Sequence, residues 1–467
     1  MNLPVRPVAA AFVILLSLPF LSSVAVCAAE GDPESSFWSD GKVYFAGSGS
    51  YLVNDVVVAP DDRLVVVGTY DPPSGGSSWF WKAVGDDTTS TAATCFFFPP
   101  GGASQGRAYS AAFSPGGRLL VAGSADYSGR RLAVASFTYP DCVPDDNFDG
   151  DGYWTLDIGG GTEEVTAITV SPSTGKIALG AVRDNGSARV QIVAVLAGDG
   201  ALDTSFSGDG WRGLDPSGVE VSDSLAGIAF GTGGRVIIAG TSFYGTGGAN
   251  GNWIVAQLTA AGALDNGFSN DGLAPVAFDL GGADDDQLSG LARDPNSGKL
   301  LLTGYVQTDV FEWGLGIARL LPSGALDPTF SGDGKVVLSL GSITITGSDV
   351  AVDGLGRVLV AGNFRSSAGV SDFFVMRYTA DGELDSTFGY GGLSVVAFDA
   401  GPGDSDNDYA QALTMQGGRV VVTGQIEVDA DFHYRIGLTR LDVALIFADG
   451  YESAGFSSWS SALTGQQ

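Results

Sequence analysis

Leu202-Asp203-Thr204-Ser205-Phe206-Ser207-Gly208-Asp209-Gly210 decides the fold, because the chain repeats it. Close copies are Leu264-Asp265-Asn266-Gly267-Phe268-Ser269-Asn270-Asp271-Gly272 and Leu326-Asp327-Pro328-Thr329-Phe330-Ser331-Gly332-Asp333-Gly334. A looser copy runs from Leu384-Asp385 through Phe388 to Gly392. The phenylalanines step by 62, 62 and 58 residues. A fixed period of that size signals an array of similar supersecondary units. Upstream, Asp145-Asp146-Asn147-Phe148-Asp149-Gly150-Asp151-Gly152 is a fainter copy, and Asp32 to Val43, around Phe37, is another with one extra residue. The 111 residues between Phe37 and Phe148 leave room for one decayed copy, expected near Cys95-Phe96-Phe97-Phe98-Pro99-Pro100.

A second phrase gives the same count. A basic residue opens a short apolar run that ends at glycine. It begins at Arg63, Arg118, Lys176, Arg235, Lys299, Arg357 and Arg419, which makes seven copies. Short runs of Val, Leu and Ile bounded by Pro, Gly, Asn and Asp read as buried strands between tight turns. Further strands are expected before the run (Ala167-Ile168-Thr169-Val170), after it (Trp253 to Leu258, Phe373 to Tyr378) and after the Asp-Gly phrase (Lys335-Val336-Val337-Leu338). Four antiparallel strands per unit of about 60 residues is the composition of a propeller blade. The chain opens on the tail of one unit and finishes on the front of another. A closed ring uses that permutation, because the strand near Lys42 can complete the last sheet and remove an open edge. The expected fold is therefore all-β: a seven-bladed β-propeller built from seven repeats of about 60 residues and closed by the N-terminal strand.

The phrase Gly-x-Leu-Asp-x-x-Phe-x-x-x-Gly, followed by the basic residue and apolar run, resembles the delta-60 repeat family of secreted bacterial proteins. The likeness spans about residues 32 to 445 and is sharpest in the last five units. It implies a β-propeller-like fold, a bacterial source and export. It brings no catalytic residues with it.

The ends are read separately. Residues 1–28 have the basic start, the short apolar run and the small-residue end of a signal peptide. Cys27 follows Val26, where a lipoprotein signal needs a small residue. Residues 29–445 form the propeller and residues 446–467 a short tail ending in Ser-Ser-Trp-Ser and a polar stretch. No segment beyond the leader is long and apolar enough to span a membrane. Export makes Cys95 and Cys142 an expected disulfide. Both are placed just after the third strand of the first two units, and the bond closes a loop worth roughly 4 kcal/mol.

The 467-residue chain carries 53 acidic and 23 basic residues, a net charge of −30, so nucleic acid is disfavoured as a partner. Acidic clusters lie at Asp284-Asp285-Asp286 and Asp404-Ser405-Asp406-Asn407-Asp408. Asp145, Asn147, Asp149 and Asp151 offer oxygen ligands at alternating positions, like the first half of a calcium loop, although its last ligand position is Leu156. A structural calcium is the one cofactor this composition points to. The alternative is a turn, with the repeated Asp capping backbone N–H groups and the repeated Phe wedged between blades. The single histidine, His433, is read as a loop residue, and no nucleophile elbow or phosphate loop is present. The expected function is a monomeric, non-enzymatic binding scaffold, secreted, periplasmic or at the cell surface. Its partner is a glycan, another polymer or a protein, held by variable loops such as Phe243-Tyr244-Gly245-Thr246-Gly247-Gly248-Ala249-Asn250. The alternative is a glycan-directed propeller hydrolase with carboxylates at the central channel.

Overall fold

The computed structural model describes residues 31–443, apart from residues 35, 39, 46, 88–90, 93, 98–102, 160, 187, 216–222, 245–249, 281–284, 310–311, 341–342, 366–368, 399–406 and 429–432. The expected signal peptide (1–28) and tail (446–467) lie outside the described residues, as do Phe98-Pro99-Pro100, Gly245 to Ala249, Asp284 and Asp404 to Asp406.

Seven antiparallel sheets, each with a four-strand path, follow one another in the chain, and one of them carries an extra two-residue strand, Val143–Pro144, beside its third strand. Blade 4 is typical: Ser224–Phe230, Val236–Tyr244, Asn250–Leu258 and Leu273–Val276, in that order across the sheet. The second and third strands are the basic-led apolar run and its successor, and in blade 3 the second strand is buried from Ile177 to Val182. A strand packed by neighbouring blades on both faces has no need to alternate, so it reads as a continuous apolar run. The innermost strand of each blade packs against those of the blades before and after it, and Ser50–Val58 of blade 1 meets Asp408–Gln416 of blade 7. The ring is closed, as the permuted repeat requires. Blade 7 takes its outermost strand from the other end of the chain: Lys42–Phe45 pairs antiparallel with Tyr434–Asp442, with Val43 opposite Leu438 and Tyr44 opposite Gly437.

The repeated phrase lies between the third and fourth strands. Phe37, Phe148, Phe206, Phe268, Phe330 and Phe388 are all fully buried. Each shares a core cluster with the second strand of the following blade: Phe268 with Leu300 and Leu302, Phe330 with Val358 and Val360, and Phe388 with Val420 and Val422. The next residue donates its N–H across the same junction, Ser269 to the Ser323 carbonyl at 2.7 Å and Ser331 to the Asp381 carbonyl at 2.7 Å. Gly324, at φ +87°, lets the turn that receives Phe268 lie against the ring, for a Cβ there would stand 3.1 Å from it.

The repeated Asp does two jobs. One oxygen accepts a backbone N–H two residues on, from Ser205 to Asp203 and from Thr329 to Asp327, each at 3.1 Å. The other pairs with the basic residue that opens the apolar run of the same blade: Lys176 with Asp203 and Arg235 with Asp265 at 2.5 Å, Lys299 with Asp327 at 2.8 Å, and Arg118 with Asp145 at 3.3 Å. Blade 7 does this across the ring closure, where Arg419 meets Glu34 at 2.9 Å. The two phrases are thus one electrostatic unit, a link that their separate reading missed.

The decayed copy is not at residues 95–100. Thr94–Phe97 is the outermost strand of blade 1, pairing with Ser78–Val84. The phrase is missing from between them, where Ala92 N–H returns directly to the Ala83 carbonyl at 3.0 Å. Trp79, Trp81 and Phe137, with Phe97 and Tyr139 against them, fill the junction of blades 1 and 2 in place of a wedge phenylalanine. The Cys95–Cys142 disulfide crosses that same junction, with a Cα–Cα distance of 5.6 Å. Cys142 does follow the third strand of blade 2, but Cys95 sits within the fourth strand of blade 1 rather than after the third.

Candidate functional site

The two ends of the ring differ. The repeated phrases and the turns leading into the second strands occupy one end. The hairpins between second and third strands and the entries to the innermost strands occupy the other, upper end. Phe243 and Asn250, flanking the variable stretch singled out above, belong to an upper hairpin.

Every innermost strand carries one extra residue at the same step, shown by register shifts at Val53/Asp55, Ala108/Ser110, Val165/Ala167, Leu225/Gly227, Leu288/Gly290, Gly347/Asp349 and Ala410/Ala412. A bulge twists the strand and re-aims side chains. Here the extra residues, among them Asn54, Tyr109 and Gln411, stay half-buried while their neighbours Val53, Ala108 and Ala410 are fully buried. The innermost strands line the axis of the ring, so these residues border its channel, and Asn54 Nδ2 donates to the Ala108 carbonyl of the next blade at 2.7 Å.

At the upper mouth, blades 2 and 3 bring several polar groups together. Arg107 and Tyr109 come from the innermost strand of blade 2 and Glu164 from that of blade 3. The Tyr109 hydroxyl is pushed up to about 12, first by burial and then by its hydrogen bond to Glu164, with Arg107 opposing. Arg130 holds Glu164 at 3.3 Å and Asp126 at 3.0 Å. Behind them Glu163 is fully buried, and neither of its oxygens has a hydrogen-bond partner among the described residues. Burial, then the charge of Asp157, pushes Glu163 up to about 7 against the pull of Arg183 and Arg131. Blades 7 and 1 add aromatic rings at the same end. Tyr409 and Tyr434 meet edge to face at 6.3 Å, Tyr51 and Tyr70 lie 4.8 Å apart, and Tyr70 reaches Phe96 at 4.8 Å. Tyr434 N–H donates to Ser50 Oγ at 3.1 Å, which joins the two groups. Phe96 is 48% exposed at the rim. Aromatic faces beside arginine and carboxylate can take sugar rings and their hydroxyls at once.

Deeper in the channel stand two carboxylates at the same step of blades 1 and 6, on either side of blade 7. Asp349 Oδ1 accepts Val350 N–H at 2.8 Å and Oδ2 accepts Leu413 N–H at 2.9 Å. Asp55 takes Val56 N–H at 2.7 Å, Ala111 N–H at 2.9 Å and the Ser110 hydroxyl at 2.8 Å. Each ties its own bulge to the next blade. Desolvation, with a contribution from Asp55, pushes Asp349 up to about 7, and desolvation raises Asp55 as well.

These groups set a pH dependence. Asp349, Glu163 and Asp223, the last raised to about 6 by burial, hold protons more tightly folded than unfolded. Folding binds protons between their unfolded values near 4 and their folded values of about 6 to 7, so stability falls as pH rises through that window. The repeated aspartates act oppositely. The hydrogen bond from Arg235 holds Asp265 down, and bonds from Lys299 and Thr329 outweigh burial at Asp327 and hold it well below the usual range. Their contribution is present above about pH 4 and lost below it. Melting temperature is expected to peak between about pH 4 and 6 and to fall towards both pH 2 and pH 8. A flat profile from pH 5 to 8 in scanning calorimetry would contradict the buried carboxylates.

The calcium-loop residues share one turn. Asp145 accepts from Asn147 N–H at 3.1 Å and Asn147 Nδ2 at 2.8 Å besides its pair with Arg118, and Asp151 accepts Tyr153 N–H at 3.0 Å. Among the described residues no three Asp, Glu, His or Cys side chains gather as a metal-holding group. Asp286 and Asp408, from the two acidic clusters, are buried and accept Phe278 N–H at 3.1 Å and Phe398 N–H at 2.8 Å. His433 is half-buried in the upper hairpin of blade 7, and its carbonyl accepts Val428 N–H at 3.2 Å.

The mouth residues were not found from sequence. Arg107 and Tyr109 lie in a weak early unit and Glu164 in the next one, and only the fold brings the last beside the others. The one available signal was that the innermost-strand positions vary between repeats while the phrases do not.

Residues 234–268, 296–330 and 356–388 match a family described as a domain of unknown function (DUF5122) beta-propeller. Each match runs from the start of a second strand, or the turn before it, to its wedge phenylalanine. No curated protein matches the sequence. Among solved structures, the polysaccharide lyase Uly1 is similar at 10% identity with a TM-score of 0.50, over 86% of this chain and 99% of that one. Drosophila Semaphorin 1a, extracellular domains 1-2, gives 12% identity and a TM-score of 0.46, over 86% of this chain and 88% of that one. The Penicillium chrysogenum alpha-L-arabinanase gives 12% and 0.36, over 89% and 97%. No helix among the described residues is long and apolar enough to cross a membrane. The chain is a seven-bladed β-propeller, and three of its blades carry a segment similar to that propeller family.

Proposed function

We propose that the protein is an exported, monomeric binding module that takes a polymeric glycan across its upper face. The observation that carries this reading is the combination at the mouth: Tyr109 within hydrogen-bonding reach of both Arg107 and Glu164, with the Tyr409, Tyr434, Tyr70 and Phe96 rings at the same end. Rings supply stacking surface and the charged groups supply orientation. The Cys95–Cys142 bond supports export, since such bonds persist in oxidising compartments. The leader read at residues 1–28 supports it too.

A glycan-directed hydrolase is the second reading, favoured by the Asp55 and Asp349 pair in the channel. Both carboxylates already serve backbone N–H groups of two blades, which is why binding without turnover is the first choice. The test is calorimetric titration with a panel of soluble polysaccharides, together with an assay for new reducing ends. Binding is expected without chain cleavage. Tyr109→Ala and Arg107→Ala are each expected to weaken it by about tenfold, the loss of roughly 1.4 kcal/mol. Cleavage that disappears in Asp349→Asn would establish the hydrolase instead. No binding to any member of the panel would sink the glycan reading.

A further inference from the structure

Two residues before the bulge of the innermost strand, blades 4, 5 and 7 carry Asp223, Asp286 and Asp408, and blade 3 carries Glu163. All of them are fully buried. The aspartates are put to structural use. Asp286 accepts the N–H groups of Phe278 and Gln307, each at 3.1 Å, Asp408 accepts that of Phe398 at 2.8 Å, and Asp223 accepts the Ser242 hydroxyl at 2.9 Å. Through Phe278 and Phe398, Asp286 and Asp408 fasten the end of the preceding blade. Glu163 accepts no hydrogen bond from any other described residue. A buried polar group left unpaired costs stability, so one that has lost the structural use of its counterparts calls for another explanation.

Its surroundings supply one. Arg183 stands opposite Glu163 on the second strand of blade 3, and its Nε is buried without a hydrogen-bond partner among the described residues. Arg131, near the start of the third strand of blade 2, pairs with Asp157 at 3.3 Å and lies over the Tyr127 ring at 4.8 Å. The other blade 2 strands packed on the Glu163 strand bring Arg107, Tyr109 and Asp126, and the third strand also brings Arg130. The second strand of blade 3 also brings Asp184. The innermost strand of blade 4, Ser224–Phe230, brings no charge, and Asp223 just before it is tied to Ser242. Successive side chains of a strand point to opposite faces. Glu164 therefore lies on the mouth side, beside Arg130 and Tyr109, while Glu163 lies behind it in the field of Arg131 and Arg183. Two neighbouring residues of blade 2 thus answer two neighbouring residues of blade 3.

We propose that Glu163 is a positioning residue through which a single proton regulates the glycan-binding mouth. The inference rests on the glycan reading for what is regulated, and on Glu163 and its neighbours for the switch itself. With Glu163 protonated, Arg131 stays on Asp157 and Tyr127, and Arg130 stays on Glu164 beside Tyr109, as seen here. Ionised, the buried carboxylate draws Arg183 and Arg131, because an interior charge is held only when paired and hydrogen-bonded. Arg131 then leaves Asp157, and Arg130 beside it in the chain slackens its hold on Glu164. Burial favours the protonated form while Arg183 and Arg131 favour the ionised one, which sets the exchange between them at about pH 7. Binding at the mouth is strong below that pH and weak above it.

Glu163→Gln keeps the shape of the protonated side chain and cannot ionise. In the full chain without glycan, its melting temperature is expected to match wild type near about pH 4 and to exceed it by roughly 2 to 4 °C at about pH 8. Hydrogen exchange reads the switch itself. With labelling times scaled for the intrinsic rate, wild type should exchange faster at about pH 8 than at about pH 6 in Gln105–Phe113 and Arg130–Thr138, and Glu163→Gln should not. Arg183→Gln removes a cation that favours the ionised form, so the wild-type change should move to higher pH. With the panel polysaccharide that binds most tightly, wild type is expected to lose about tenfold in affinity from about pH 6 to about pH 8, and Glu163→Gln to lose none. Exchange that is the same at both pH values, or that changes equally in Glu163→Gln, overturns the switch. Equal affinity at both pH values overturns the regulation. If the exchange change is present and no polysaccharide binds, the glycan reading fails and the switch stands.

Discussion

Replacing Cys95 and Cys142 together by serine is expected to cost roughly 4 kcal/mol, the chain entropy of opening a loop of about 48 residues. Spread over the unfolding entropy of a domain of about 410 residues, that is a fall in melting temperature of roughly 4 to 5 °C. The loss should also be local. At other junctions a buried phenylalanine and a backbone hydrogen bond from the following residue, such as Ser207 to the Ala261 carbonyl at 3.0 Å, tie one blade to the next. Blade 1 has no such phrase. Cys142 stands after the third strand of blade 2, in the segment that receives this bond elsewhere, and Cys95 reaches it from the outermost strand of blade 1. Hydrogen exchange in the Cys95Ser/Cys142Ser variant should therefore quicken first in Thr94–Phe97 and Arg130–Thr138, and much less in blades 4 to 6. A melting temperature within about 1 °C of wild type, or uniform quickening around the ring, would show that the aromatic cluster of Trp79, Trp81 and Phe137 holds the junction alone.

That junction also marks the limit of what the repeat could reveal. Blade number, ring closure by the strand at Lys42 and the burial of the phenylalanines all follow from positions that recur, so each copy corroborates the others. The deletion between Ala83 and Thr94 breaks the count, and the nearest run of phenylalanines then mimics the missing phrase. The pairing of Asp145, Asp203, Asp265 and Asp327 with the basic residue about 28 positions earlier was legible in principle, since both columns persist from Arg118 and Asp145 onward, although in blade 6 Asp385 takes Arg377. The channel was not. A bulge inverts the inward and outward sense of every residue after it, and nothing in Asn54, Tyr109, Thr166 and Ala226 announces a shared structural step. Nor does local sequence bring Glu164 to Tyr109. Function concentrates where repeats differ, which is where counting repeats gives no guidance.

Phe268→Ala is expected to cost about 3 to 5 kcal/mol, the range for deleting a buried aromatic ring that its surroundings cannot collapse to replace. The ring is fully buried between blades 4 and 5, against Leu300, Leu302 and the close-lying Gly324. Both walls of the cavity it would leave are sheet, held by strand pairs that cannot slide inward without breaking register. Phe96→Ala, at a ring 48% exposed on the rim, is the matched control and should cost well under half as much. The shape of the melt matters as much as the midpoint. In an open array, weakening one interface lets the units on either side unfold separately, because each touches only its neighbours. Here the chain ends meet in blade 7 through Lys42–Phe45, Arg419 and Glu34, so the blades on each side of the weakened junction remain joined the other way round the ring. Phe268→Ala should therefore melt in one transition, lower by roughly 3 to 6 °C. Adding a deletion of residues 31–45 strips that second path down to the packing of Ser50–Val58 on blade 7, and the same substitution should then split the melt in two. A single transition in both backgrounds would mean that closure by the N-terminal strand contributes little to the cohesion of the ring.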